Sequence, residues 1–239
     1  MMRTAPRSHC HLCHSAGKVL YESLDDRLFG AEGNWNLRAC GNAACGLLWL
    51  DPMPVPEDIG KAYAAYYTHY EAPDRTGHPL YRLFTGAREG YLATQYGYFA
   101  DGLPGWKKLA GWLLRLHPGR RVVADFSVMW QKALAQGRLL DVGCGSGWLL
   151  ESMQSLGWTV EGVDLDPRAV EGARSRGLRV HLGHVDQLNL PAESFDVVTM
   201  SHYIEHVYEP AAVIAACHRL LKPGGRLVII SFHSLEDRI

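Results

Sequence analysis

Beyond residue 134 the chain alternates two hydrophobic rhythms. Short, nearly continuous apolar runs ("RLLDVG", "TVEGVDL", "LRVHLG", "FDVVTMS" and "RLVIIS") are separated by stretches in which apolar residues recur every three or four positions. The first rhythm suits a strand buried on both faces and the second an amphipathic helix. "GWLLESMQSLG" predicts a helix closed by Gly157. "DPRAVEGARSRG" predicts one with Asp166 as N-cap, Pro167 at its first position and Gly177 at its end. "EPAAVIAACHRLLKPGG" predicts a third, with Val213, Ile214, Cys217, Leu220 and Leu221 on one face. Strands joined by helical crossovers predict an α/β domain whose parallel sheet is covered on both sides.

The rhythm differs upstream and divides the chain into three zones: 1–52, 53–133 and 134–239. Residues 1–52 are rich in Cys and Gly, carry short strand-like pieces ("KVLYE", "GLLWL") and run into the breaker-rich "DPMPVPED". Residues 53–133 read as helical and aromatic. There "PEDIGKAYAAYYTHY" predicts a helix with Tyr63, Tyr66, Tyr67 and Tyr70 along one face. It is followed by "LYRLFTGAREGYLATQYGYF" and "GWKKLAGWLLRLHPGRR".

Composition changes this picture in two respects. The chain has 239 residues, is 47% hydrophobic and has a formal net charge of −1, so it can bury a full core and shows no global attraction to nucleic acid. No nucleic-acid partner is expected. The N-terminus has no apolar signal core and no run approaches membrane-spanning length, so a cytoplasmic location is expected. In a reducing compartment, six cysteines with close-spaced pairs read as metal ligands rather than disulfides.

The chemistry gathers in "RLLDVGCGSGWLLESM", residues 138–153. A phosphate-binding loop needs Lys-Ser/Thr after its last glycine, and here Trp148 and Leu149 follow Gly147. Gly143, Gly145 and Gly147 also lack the spacing of the dinucleotide fingerprint, and the acid Asp141 precedes them. The next strand ends in Asp164, suited to accept hydrogen bonds from a ribose diol, and the third precedes Asp186, suited to an adenine amino group.

With "VEGVDLD", "HVDQLNLPAESFDVV", "SHYIEHVYEP" and "RLLKPGGRLVI" in order behind that turn, residues 134–231 resemble the class I S-adenosylmethionine-dependent methyltransferases. The resemblance implies a Rossmann-like sheet of order 3-2-1-4-5 that binds S-adenosyl-L-methionine. Gly143, Gly145 and Gly147 would cradle the methionine moiety, with Asp141 ahead of them. Asp164 and Leu165 would meet the ribose, and Asp186 and Gln187 would flank the adenine. "HYIEH" also matches the inverted zinc-peptidase motif, but it follows a strand directly instead of lying mid-helix. In related small-molecule methyltransferases this segment lines the acceptor side. His202 and His206 are therefore candidates to orient or deprotonate an acceptor, or, with Glu205, to bond only locally.

Cys10-x2-Cys13 and Cys40-x4-Cys45 can each clip one side of a tetrahedral zinc. Residues 1–52 look like the zinc-ribbon-like front end of one group of bacterial methyltransferases, some acting on nucleotide-linked sugars. That likeness implies a structural zinc and a small-molecule acceptor, a sugar or a lipid-linked glycan. Residues 103–121 hold five Lys or Arg and no acid beside Trp106 and Trp112. They suit either a helix in peripheral contact with a membrane or a lid packed on the following domain.

The ending "SFHSLEDR" is similar to a segment of the small-subunit ribosomal-RNA cytosine-N4 methyltransferases, which makes ribosomal RNA the second acceptor class. A silent cofactor-binding or zinc scaffold is the third reading. The family's sheet adds a hairpin after the fifth strand, and the chain has only eight residues after Ser231. The expectation is therefore a truncated chain with an open edge at 226–231 and self-association through that edge.

Overall fold

The structure is a computed structural model that describes residues 2–27, 32–58, 79–99 and 102–231. The chain divides into two compact units, Met1–Tyr67 and Thr68–Ile239.

In the first unit, β1 (Thr4–Ala5) pairs antiparallel with β5 (Met53–Pro54). A separate antiparallel sheet runs in the order β2 (Gly17–Leu24), β3 (Trp35–Cys40), β4 (Leu48–Asp51). A side chain at Gly17 would meet the Trp49 ring at 2.5 Å, and the Trp49 indole N–H donates to the Arg7 carbonyl at 2.8 Å. Asp51 accepts the Arg7 backbone N–H at 2.7 Å and pairs with Arg38. These contacts, the Arg7 bond foremost, hold its carboxyl below the usual range. The helix expected in "PEDIGKAYAAYYTHY" is described only at its start, as a single 3-10 turn, Pro56–Asp58. The rest, with Tyr63, Tyr66, Tyr67 and Tyr70, lies outside the described residues.

The second unit opens with three helices: α1 (Pro79–Tyr96), α2 (Gly105–Leu114) and α3 (Pro118–Phe126). The expected single basic helix over 103–121 is thus two helices. Pro118 has no N–H to continue α2 and instead starts α3, with the His117 side chain capping the Arg120 N–H. Where α1 and α2 cross, their backbones touch. A Cβ on Gly90 would lie 1.8 Å from the Lys107 carbonyl oxygen, and one on Gly111 2.2 Å from the Tyr91 nitrogen. Tyr91 and Tyr96 each donate a hydroxyl to Asp125 Oδ1 at 2.7 Å, so α1 hydrogen-bonds α3 inside the core. Burial and the neighbouring carboxylate raise both phenols, Tyr91 to about 12.

The sheet that follows is β6 (Arg138–Val142), β7 (Thr159–Asp164), β8 (Val180–Leu182), β9 (Phe195–Ser201) and β10 (Leu221–Ile230), all parallel in the order β10-β9-β6-β7-β8. That is the expected 3-2-1-4-5 order. Three crossover helices connect the strands: α4 (Trp148–Ser155), α5 (Pro167–Ser175) and α6 (Pro210–Leu220). Alternate strand residues build two cores. Leu139, Val160 and Val197 face α1, α4 and α5, while Leu140, Val142, Val163, Val198 and Met200 face α6.

Two expectations about α6 change. Ile214 is exposed, Ala216 takes its place in the buried stripe, and Leu221 begins β10 because Pro223 and Gly224 cannot prolong a helix. Among the described residues β10 pairs only with β9, and "SFHSLEDR" lies outside them beyond Ser231. Among the described residues no helix is long and apolar enough to cross a membrane.

Gly111→Ala should force α1 and α2 apart and cost about 1–3 kcal/mol or more. Denaturant unfolding of the variant beside the wild type checks this, and Gly105→Ala, where nothing lies within 4 Å, should cost far less.

Candidate functional site

The carboxyl ends of β6, β7, β8 and β9 lie on one rim, with the topological switch between β6 and β9. From the end of β6 the chain turns through Gly143, Gly145 and Gly147, at φ +77°, +51° and +83°, left-handed angles that side-chain-bearing residues rarely adopt. The Gly143 and Cys144 N–H groups donate to the Val163 carbonyl at 2.8 and 3.1 Å. The Gly145 N–H donates to Asp164 Oδ2 at 2.7 Å, and the other Asp164 oxygen accepts the Asp166 N–H at 2.9 Å. Asp164 therefore fastens the turn, and each of its oxygens keeps a lone pair for a further donor.

The three glycines have different surroundings. A Cβ on Gly143 would strike the Tyr203 ring at 2.6 Å, and one on Gly147 the Leu178 side chain at 2.5 Å. Gly145 has nothing within 4 Å and opens onto free space. Asp141, below the turn, is buried and accepts the Thr199 hydroxyl at 2.7 Å. Burial above all, and secondarily Asp164, pushes its carboxyl up to about 7 against the pull of Thr199. Leu165 follows Asp164 and is partly exposed, while Asp186 and Gln187 lie exposed on the turn after β8. Burial, then the charges of Asp186 and Asp164, raises the Tyr203 hydroxyl to about 12. That hydroxyl is buried and has no hydrogen-bond partner among the described residues.

Directly after β9, His202 takes a left-handed φ of +51° and its N–H donates to the Ile230 carbonyl at 2.8 Å. The 3-10 turn Ile204–His206 then folds Glu205 back, so that Glu205 Oε1 lies 3.4 Å from His202 Nδ1 and 4.0 Å from His206 Nε2. Both imidazoles are open to solvent and the carboxylate is mostly buried. A mostly buried carboxylate beside an exposed imidazole can orient the ring.

In the first unit, Cys10 and Cys45 Sγ lie 3.7 Å apart, Cys13 and Cys40 Sγ 3.3 Å apart, and all four sulfurs lie within 4.8 Å of one another. A tetrahedral zinc with bonds of about 2.3 Å separates its sulfurs by about 3.8 Å, so the donor set fits such an ion. Backbone N–H groups of Leu12 and Asn42 point at the Cys10 and Cys40 sulfurs at 3.4 Å. The long Cys40–Cys45 spacing closes because Asn42 caps the Ala44 N–H and accepts the Cys45 N–H.

Comparison with known proteins agrees with the rim geometry. Residues 140–229 match the family "Methyltransferase domain". Over residues 140–229 the chain is similar to methyltransferase domains. A ubiquinone biosynthesis O-methyltransferase of Xanthomonas oryzae pv. oryzae is 50% identical over 103 residues, 40% of this chain and 43% of that protein. Its Xylella fastidiosa namesake is 35% identical over 148 residues, 59% of this chain and 60% of that protein. The chain thus spans about two fifths to three fifths of the curated relatives it matches. The solved YcgJ protein of Bacillus subtilis is 26% identical over 44% of this chain and 47% of that chain, with a TM-score of 0.41.

Three contacts near the rim complete the site, and two of them, those of Tyr203 and Trp148, escape a reading of the sequence alone. Tyr203 supports Gly143, Glu205 joins the two histidines, and Trp148 stacks on Phe126 at 5.9 Å as the helix leaves the turn. The bulky residue placed directly after β9 was the available signal for Tyr203. Glu205 lies within three residues of both histidines, so its contacts are local, whereas Trp148 and Phe126 meet only across the fold.

Asp141 generates a test in the ligand-free protein. Its carboxyl sits near 7 when folded and near 4 when unfolded, so between those values the folded state holds the extra proton. Its contribution to stability is complete below about pH 4 and is lost as pH rises to about 7, at up to roughly 1.4 kcal/mol per pH unit. Asp141→Asn, which can still accept from Thr199, should flatten that fall. Melting curves of both proteins from pH 4 to 8 check it.

Proposed function

We propose that the chain is an S-adenosylmethionine-dependent O-methyltransferase acting on a hydroxyl of a small molecule. The observation that carries this reading is the left-handed glycine turn fastened by Asp164, with free space at Gly145. The buried, unpartnered Tyr203 hydroxyl beside the same rim supports a ligand with polar groups. When bound, S-adenosylmethionine supplies a methyl on a sulfonium, ready for in-line displacement by an acceptor oxygen. Gly143, Gly145 and Gly147 would line its methionine part, Asp164 and Leu165 its ribose, and Asp186 and Gln187 its adenine. Asp141 and Asp164 put acidic groups beneath a cationic ligand, which favours ionisation of Asp141.

An acceptor hydroxyl holds its proton at neutral pH, and His202 is the group we assign to take it, steered by Glu205. His206, farther from the same carboxylate oxygen, would orient the acceptor. The O-methyltransferase relatives support a small-molecule hydroxyl. We infer that the four-cysteine cluster binds one structural zinc; the second reading, a sugar or lipid-linked glycan acceptor, rests on the resemblance of residues 1–52 to zinc-ribbon-like methyltransferases.

Labelled S-adenosylmethionine incubated with phenolic, sugar-nucleotide, lipid-linked glycan and RNA fractions tests the reading. Transfer to a small-molecule hydroxyl is expected, and label in RNA alone overturns it. His202→Gln should lower kcat by about 10²–10⁴-fold at unchanged cofactor affinity. Asp164→Ala should instead weaken cofactor binding by about 1–3 kcal/mol in calorimetry.

Metal analysis should find about one zinc per chain. Cys10→Ser or Cys40→Ser should lose it and loosen the first unit while cofactor binding persists. A metal-free protein with an unchanged first unit would refute the zinc assignment.

A further inference from the structure

Helix α2 is apolar on two opposite sides. Gly111 and Leu114 are buried, with Lys107 and Ala110 half-buried beside them on the side that meets α1. On the other side stand Leu109, Trp112, Leu113 and, in the turn that follows, Leu116, each 51–70% exposed, bordered by Trp106, which is 51% exposed while its ring rests against Gly86 of α1. Their spacing of three, one and three residues places the four on one face. A folded chain rarely leaves four large apolar side chains together in water unless something covers them. Trp112 and the bordering Trp106 carry rings that favour the boundary between apolar and polar media.

The charges beside this face are of one sign. Between residues 102 and 124 there are five Lys or Arg and no Asp or Glu. Lys107 is engaged by Glu89 of α1, but Lys108, Arg115, Arg120 and Arg121 are exposed. Lys108 and Arg115 lie on α2 and its following turn at a seven-residue spacing, so they flank one border of the apolar face. An apolar stripe with tryptophans and a purely cationic border is complementary to an anionic bilayer surface, where the apolar side chains enter the headgroup boundary and the cations meet lipid phosphates.

We propose that the exposed face of α2, from Trp106 to Leu116, docks the protein on the surface of an anionic lipid bilayer. The contact is reversible and peripheral, because a single short helix face buries too little apolar area for permanent insertion. It does not depend on which acceptor is methylated.

Flotation of the full chain with vesicles tests it. The protein should float with phosphatidylglycerol/phosphatidylcholine vesicles, stay behind with pure phosphatidylcholine, and be released by salt. The double variant Leu109→Ser, Trp112→Ser changes only exposed side chains and should lower the bound fraction about tenfold. Lys108→Glu with Arg115→Glu should do the same. Both variants should melt like the wild type and bind S-adenosylmethionine equally well, so a failure here is distinct from a failure of the methyltransferase reading. Absence of binding to anionic vesicles overturns the proposal, as does equal binding by the variants. A wild-type dimer that the apolar variant dissociates, with no vesicle binding, would assign the face to self-association instead and also overturns it.

Discussion

The Asp164 carboxylate holds the rim of the C-terminal unit together. One oxygen takes the N–H of Gly145 from the turn after β6, and the other takes the N–H of Asp166 ahead of α5. Hydrogen bonds to a carboxylate are stronger than those between neutral groups, and here one ties the turn after β6 to the end of β7 while the other fixes the start of α5. The left-handed backbone of the turn is thereby committed to one shape, and its open side is the space at Gly145. Gly143 and Gly147 serve differently: they admit the Tyr203 ring and the Leu178 side chain. A glycine-rich turn of this kind is part ligand surface and part packing joint.

A second carboxylate organises the helices that precede the sheet. Asp125 is buried and accepts both the Tyr91 and Tyr96 hydroxyls, so the aromatic residues of α1 bury their rings without stranding their polar ends. Arg88 reaches the hydroxyls of Ser127 and Ser152, and so bonds α1 to the end of α3 and to α4. Contact between α1 and α2 at Gly90 and Gly111 leaves the opposite side of α2 largely exposed among the described residues. The face proposed to meet lipid follows from that packing.

Much of the scaffold was legible before any coordinates. The strand order follows from the family resemblance, and the five strands, the caps at Asp166 and Gly177 and the left-handed glycines follow from local rules of periodicity and backbone freedom. So does the pairing of the cysteines, although the five-residue step from Cys40 to Cys45 closes only through the side chain and carbonyl of Asn42. Reading failed where two helical segments share one composition. Residues 103–121 hold Lys or Arg and no acid on both sides of the break, which comes from the missing N–H of Pro118. It failed again on α6, where Ile214 fits the helical stripe but the angle of the helix to the sheet buries Ala216 instead.

The sequence by itself determined the main strands and helices of residues 134–231 and the left-handed glycines after β6, because each of those depends on neighbours within a few residues. Tertiary structure alone decided that Tyr203 lies under Gly143, that Trp148 stacks on Phe126, and that the Lys107 charge is met by Glu89 while Lys108 faces water. Those pairings depend on how far each turn swings and how closely each helix settles. Packing of the whole core sets both, and no local pattern of residues encodes them.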